Sequence, residues 1–419
     1  MEDEFVYKEV EKCRICGNSN LVRIMDLGTM LLTGVYPLPG EEVEEGPLEL
    51  VKCDGDDVCG LVQLKHSFEA EKMYGGGYGY RSGLNLSMME HLREITSDIR
   101  NKVKIKKEDL VIDIGSNDGT LLGTYIDAGV DCTFVGIDPT CEKFKKYYKE
   151  GIALEPHFFD ADLIRKKYPS RRAKVVTSIA MFYDLEDPVH FAEDIAQILE
   201  DDGIWVMEQS YLPLMIETNS YDTVCHEHLE FYTLKQIDWI AEKAALKVID
   251  VVTNDVNGGS FRVVLAKKNA GFKVSDTVLA MRKSEERNGY NDLEAFEGFQ
   301  KAVVSHKETL IDFLKKCRQD GKVVLGYGAS TKGNVVLQYC GITSELLPAI
   351  AEVNSDKYGH VTPGTHIPII SETDAKNMNP DYFLVLPWHF KKNILEREAE
   401  YIRYSGCKFV FYLPEFEIE

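Results

Sequence analysis

Leu110-Val111-Ile112-Asp113-Ile114 is an apolar run rich in β-branched residues. It stops at Gly115-Ser116-Asn117-Asp118-Gly119 and resumes as Thr120-Leu121-Leu122. The pattern predicts a strand buried on both faces, a tight turn and the start of a helix. Thr133-Phe134-Val135-Gly136-Ile137 predicts a second strand, ending at Asp138-Pro139. Residues 173–180 predict the fourth strand of the same sheet, with Met181-Phe182-Tyr183-Asp184-Leu185 at its C-terminal end. Pro188 then opens a helix over 189–199, and Gly203 to Gln209 predicts the fifth strand. Strands alternating with helices indicate an α/β fold around a parallel sheet.

The pattern changes after this unit. Residues 268–320 are charged with helical spacing, and predict a connecting helix pair. Val323-Val324-Leu325-Gly326-Tyr327-Gly328 then repeats the strand and glycine turn, and Leu384-Val385-Leu386-Pro387-Trp388-His389-Phe390 ends a later strand. At 419 residues, about two or three domains are expected. The divisions fall at 1–75, 76–268 and 269–419. There is no internal repeat and no apolar run near the ~20 residues that span a bilayer.

Charge narrows the partners. A net charge of −21 repels phosphate backbones, so nucleic acid is not an expected partner. The acidic Met1-Glu2-Asp3-Glu4 lacks the features of a signal peptide, so a cytoplasmic monomer or weak oligomer is expected. Of ten cysteines, six are scattered, and four are not: Cys13 and Cys16 form a C-x2-C knuckle, and Cys53 and Cys59 a C-x5-C loop. Four thiolates from two turns suit a closed, structural zinc site. Buried free thiols, or a redox pair at Cys13 and Cys16, are the alternatives. With zinc removed, the first ~70 residues are expected to unfold and the rest to stay folded.

The glycine turn reads D-x-G-x-x-x-G, not the three-glycine dinucleotide fingerprint. Asp118 in the turn repels a pyrophosphate. A sulfonium ligand with an α-amino group and a ribose fits better, so S-adenosylmethionine is the expected cofactor, with Asp138 on the ribose. The turn resembles the class I methyltransferase cofactor site. Expected contacts are Asp113, Gly115, Asn117, Gly119, Asp138, Pro139, Met181, Phe182 and Asp184. After the fifth strand comes Cys225-His226-Glu227-His228, a dense group of titratable side chains. The i, i+2 spacing of the histidines does not suit the helical H-E-x-x-H metal motif.

These motifs occur in one order with Gly258-Gly259-Ser260-Phe261-Arg262 and Gly328-Ala329-Ser330-Thr331-Lys332-Gly333-Asn334. In that order the chain resembles the sugar C-methyltransferase family over nearly its whole length. Known members act at C-3 of nucleotide-activated 4-keto-deoxysugars. The resemblance implies a small zinc-binding N-terminal domain, a class I methyltransferase Rossmann-like domain and a second Rossmann-like C-terminal domain. It implies His228 as general base, preceded by Glu227, and a site-lining tyrosine from Tyr78-Gly79-Tyr80-Arg81. Tyr80 or His226 is then a candidate donor to an enolate oxygen. Tyr78, Arg81, Cys225, Ser260, Arg262, Ser330, Lys332 and Asn334 are candidate contacts to a nucleotide-sugar, with Lys332 on its pyrophosphate. The chain departs from the family at Cys225, where tyrosine is expected, and at Leu27-Gly28-Thr29, which lacks a following Gln-Pro. An O-methyltransferase, a non-catalytic zinc-ribbon protein and an NAD-linked oxidoreductase using Gly326 and Gly328 are the competing readings.

Overall fold

The structure is a computed structural model that describes residues 7–69, 73 and 81–419. Tyr78 and Tyr80 lie outside the described residues. Among those residues, no helix is long and apolar enough to cross a membrane.

The N-terminal region contains β1 (Tyr7–Glu9), β2 (Leu21–Leu31), β3 (Glu45–Cys53), β4 (Val62–Leu64) and β5 (His66–Phe68). β2, β3 and β4 form an antiparallel sheet, and β1 pairs with β5. The middle region contains β6 (Leu110–Ile114), β7 (Thr133–Ile137), β8 (Ile152–Glu155), β9 (Ala173–Ile179), β10 (Leu199–Ser210), β11 (Glu230–Phe231), β12 (Leu246–Asn254) and β13 (Ser260–Lys267). Seven of these form one sheet in the order β12-β13-β10-β9-β6-β7-β8. The five strands from β10 to β8 are parallel, and β13 is antiparallel to both its neighbours. All five residues of β6 are buried, as its apolar run requires. β8 is the third strand in chain order. It is mostly half-buried at the sheet edge, which leaves it a weak apolar signal.

The expected helix pair is present as Asp276–Asn288 and Leu293–Gln319. Ser275 caps the first helix by accepting the Val278 N–H, and Gly289 ends it at φ +65°. The C-terminal sheet contains β14 (Val324–Tyr327), β15 (Ile350–Glu352), β16 (Ile369–Ser371), β17 (Tyr382–Val385), β18 (Lys408–Phe411) and β19 (Glu417–Ile418). Its order is β16-β15-β14-β17-β18-β19, parallel except for the last pair. This is the expected second Rossmann-like unit.

β11 belongs to neither parallel sheet. It pairs with β4, setting Glu230 opposite Gln63 and Phe231 opposite Val62. The middle region therefore completes the N-terminal sheet. One apolar core joins Met25, Leu50 and Leu64 of that sheet to Val224, Cys225 and Phe231, and to Leu337, Leu386 and Tyr412. A second joins Cys13, Cys53, Cys59 and Leu61 to Trp205, Tyr232 and Ile237. Burying one such large side chain contributes about 1.5–3 kcal/mol. The N-terminal sheet is thus a wedge with a shared core on each side. Such shared cores tie the folding of the first ~70 residues to the rest of the chain.

Candidate active site

The turn after β6 is held from three sides. Gly115 and Gly119 take positive φ of 73° and 76°, and so does Asn117 at 50°. A Cβ on Gly119 would fall 2.5 Å from the Tyr148 ring, so both its backbone and its neighbour demand glycine. Asp138, at the end of β7, accepts the Asn117 N–H at 2.8 Å and the Thr140 N–H at 2.7 Å. Asp138 thereby shapes the turn, and its carboxylate has further lone pairs to offer. Asp118 accepts Arg81 Nε at 3.2 Å and the Gly83 N–H at 2.9 Å, so its charge is matched locally. Arg81 also lies over the Tyr147 ring. Burial lifts Asp113 to about 7, opposed by a hydrogen bond from Thr177. The backbone after β9 brings Met181 against Gly115.

The Cys225-His226-Glu227-His228 run follows a helix, Leu212–Glu217, and a single 3-10 turn, Tyr221–Thr223. A turn at His226–Glu227, closed by His228 N–H to the Cys225 carbonyl at 3.2 Å, separates the two histidines. His226 faces the N-terminal sheet. Its Nε2 donates to the Gly46 carbonyl at 3.2 Å and its ring packs edge-on against Phe68. His228 faces the other way. Its Nδ1 donates to the Thr223 carbonyl at 2.8 Å, and its ring lies 4.3 Å from that of Tyr183. That bond fixes the tautomer and leaves Nε2 with the basic lone pair. Burial pulls His228 down to about 4, opposed by the Thr223 carbonyl and helped by the charge of Lys332. Across residues 221–230, Glu227 and His228 are half-buried and the others are buried.

All three regions meet at this loop. Glu227, with its pKa raised by burial, is hydrogen-bonded to Cys225 and to Thr33 of the N-terminal region. Its carboxylate fills the space over Gly34. Asn334 donates to the Thr33 carbonyl at 2.8 Å, and Tyr36 is hydrogen-bonded to Thr331 and Asn334. Asp222 accepts Trp388 Nε1 at 2.7 Å. Lys332 donates to the Asn257 carbonyl, in the hairpin between β12 and β13. Asp222 Oδ1, Asn334 Oδ1 and His389 Nδ1 are buried there without a well-formed hydrogen bond. Each such orphan costs about 1–3 kcal/mol until a ligand meets it.

The metal site is equally well defined. The Sγ atoms of Cys13, Cys16, Cys53 and Cys59 lie within 4.8 Å of one another. Cys13 to Cys59 is 3.3 Å and Cys16 to Cys53 is 3.5 Å. A tetrahedral zinc with Zn–S near ~2.3 Å sets sulfurs about 3.8 Å apart, so the four thiols fit a structural zinc. Asn18 Nδ2 donates to Cys53 Sγ at 3.3 Å, supporting the charge the thiolates would carry.

Three family models match the chain in succession: a zinc binding domain over residues 13–74, a methyltransferase domain over 88–251, and a C-methyltransferase C-terminal domain over 255–414. The C-methyltransferase NovU of Streptomyces niveus is 28% identical over 417 residues, covering 98% of this chain and 97% of its own. The chain is a C-methyltransferase. It uses S-adenosylmethionine and carries a zinc site. Solved structures match less of this C-methyltransferase. Human N-acetylserotonin methyltransferase is 17% identical, covering 44% of this chain and 56% of its own at a TM-score of 0.32. The mitomycin 7-O-methyltransferase MmcR is 13% identical, covering 44% and 55% at 0.34.

Within this C-methyltransferase, Asp113, Gly115, Asn117, Gly119, Asp138 and Met181 gather at the cofactor turn, and Pro139 follows Asp138 directly. Phe182 is fully buried in the apolar core, and Asp184 reaches the Cys225 side of the loop by its charge. Cys225, Glu227, His228, Lys332 and Asn334 gather at the junction. Other expected residues do not join them. His226 faces Gly46, and Arg81 belongs to the cofactor turn. Ser260 donates to the Val256 carbonyl at 2.9 Å, and Arg262 pairs with Asp98 at 2.7 Å. Ser330 caps its helix by accepting the Gly333 N–H at 3.0 Å. Thr33, Tyr36 and Asp222 complete the junction without a sequence signal, since each reaches it through contacts distant in the chain.

Gly34 offers a direct check. A Cβ there would fall 2.1 Å from Glu227 Oε1, so Gly34→Ala must swing that carboxylate away. Turnover is expected to drop by about 10²-fold, the cost of a misplacement near 1 Å. Cofactor affinity should be unchanged. Steady-state kinetics with calorimetry read both, and full turnover in the variant would place Glu227 outside the chemistry.

Proposed function

We propose that the methyl acceptor is the carbon next to the keto group, C-3, of a nucleotide-linked 4-keto-deoxysugar, activated as an enolate by His228. The observation that carries this is the junction itself. Buried polar atoms of Asp222, Asn334 and His389 lack a well-formed hydrogen bond beside a histidine held neutral. A sugar ring supplies hydroxyl and carbonyl partners for such atoms. A carbon acid next to a ketone needs a neutral base within hydrogen-bond reach, and His228 Nε2 supplies it. The Thr223 carbonyl orients the base, and Glu227 braces the loop beside it through Cys225 and Thr33. S-adenosylmethionine supplies an electrophilic methyl when bound, and the D-x-G-x-x-x-G turn with Asp138 and Met181 is where this chain would hold it.

Incubating the enzyme with S-adenosylmethionine and a panel of 4-keto nucleotide sugars tests the reading. The expected product carries a new methyl on a ring carbon, seen by NMR as carbon–carbon connectivity. A methyl on oxygen, or no turnover across the panel, would overturn it.

A further inference from the structure

Lys332 is the second residue of the helix Thr331–Cys340, yet its side chain leaves the C-terminal sheet and reaches across to the middle region. An ammonium carries three N–H donors. Lys332 uses one, on the Asn257 carbonyl, and no carboxylate lies within ion-pair distance among the described residues. Asp222 supplies the main opposing charge, and its Oδ2 is taken by Trp388. Lys332 is half-buried, so its two remaining donors can meet an acceptor that enters the junction. Four groups feel its charge: Asp222, His228, His389 and Cys225. Geometry places Lys332 by the base-bearing loop: its Nζ and the Trp388 ring both flank Gly258, Trp388 bonds Asp222, and the next residue, Thr223, holds His228.

Pyrophosphate binding is the expectation for Lys332 from sequence alone. Its place opposite the base points elsewhere. Resting on the proposed acceptor, we infer that Lys332 is a catalytic residue that hydrogen-bonds the sugar keto oxygen and stabilises the enolate. His228 Nε2 takes the C-3 proton, and that electron pair moves to the carbonyl oxygen, which Lys332 N–H groups receive. The enolate carbon then attacks the sulfonium methyl. A carbon–carbon bond forms, the carbon–sulfur bond breaks, and S-adenosylhomocysteine leaves with the electron pair. The proton on His228 passes to solvent. A fixed cation aimed at the oxygen where charge develops acts on the transition state more than on the ground state.

The test separates chemistry from binding. Wild-type enzyme, S-adenosylhomocysteine and a 4-keto nucleotide sugar are incubated in D2O, and deuterium entry at C-3 is followed by NMR. Lys332→Met is expected to lower both exchange and kcat by about 10²–10³-fold. KM and S-adenosylmethionine affinity should hold. Lys332→Gln, which keeps a donor but not the charge, should lose kcat similarly and serves if the methionine variant melts early. A raised KM with kcat and exchange preserved would return Lys332 to the pyrophosphate and overturn the inference. Unchanged kinetics would overturn it too. Absent exchange in the wild type with every sugar would refute the substrate reading, and this inference with it.

Discussion

His228→Asn loses methyl transfer by about 10²–10⁴-fold, the usual worth of a positioned general base, while S-adenosylmethionine binds as before. Asparagine keeps a donor for the Thr223 carbonyl but has no basic nitrogen. The loop can therefore hold its shape, and the loss reports the missing lone pair. The cofactor turn contains none of this loop, so calorimetry should find the same affinity. The wild type adds a pH signature. With His228 pulled down to about 4, it stays neutral at ordinary pH and becomes protonated, hence inactive, only as pH falls through about 4. The acid limb of kcat/KM from this group is expected near that value. A limb near the ordinary histidine value of ~6.5 would contradict the buried setting. Near-normal turnover in the asparagine variant would refute the base assignment.

Removing zinc should abolish turnover as well as unfold the N-terminal sheet. Structural zinc contributes on the order of 10 kcal/mol to folding in small domains. Here that energy reaches the active loop. Arg14, inside the Cys13–Cys16 knuckle, donates to the Leu64 carbonyl at 3.0 Å and lies 3.9 Å from Glu230, two residues beyond His228. Gln236 donates to the Cys59 carbonyl at 2.8 Å. β11 hangs on β4, which lies between the second cysteine pair and β5. Chelation, or Cys16→Ser, is therefore expected to lower the melting temperature and to erase methyl transfer together. Calorimetric melting alongside the methyl-transfer assay checks this. Full turnover by zinc-free protein would show the wedge to be dispensable.

Local patterns were legible in the chain where one segment decides them. The β6 run, its glycine turn, the Cys quartet and the long helix pair all follow from nearest neighbours in sequence. The junction was not, because its partners are distant. Thr33 meets Asn334, Asp222 meets Trp388, and a two-residue strand at 230–231 pairs with residues 62 and 63 of β4. No periodicity announces a two-residue strand. The histidines show the limit within one motif. Their spacing treats them alike, but the turn at His226–Glu227 sends one to Gly46 and the other to the junction. Arg262 looked like an anion contact; a carboxylate on the helix Leu86–Lys102 had already claimed it.

The strand pairing of β11 also constrains how the chain is made. As it emerges from the ribosome, β4 is an open edge until residue 231 has been delivered, and edges of that kind invite mispairing. The apolar side of the same sheet waits longer still, for Leu337, Leu386 and Tyr412. The first region to be synthesised is thus among the last to be finished, and fragments ending before the third region should be poorly soluble.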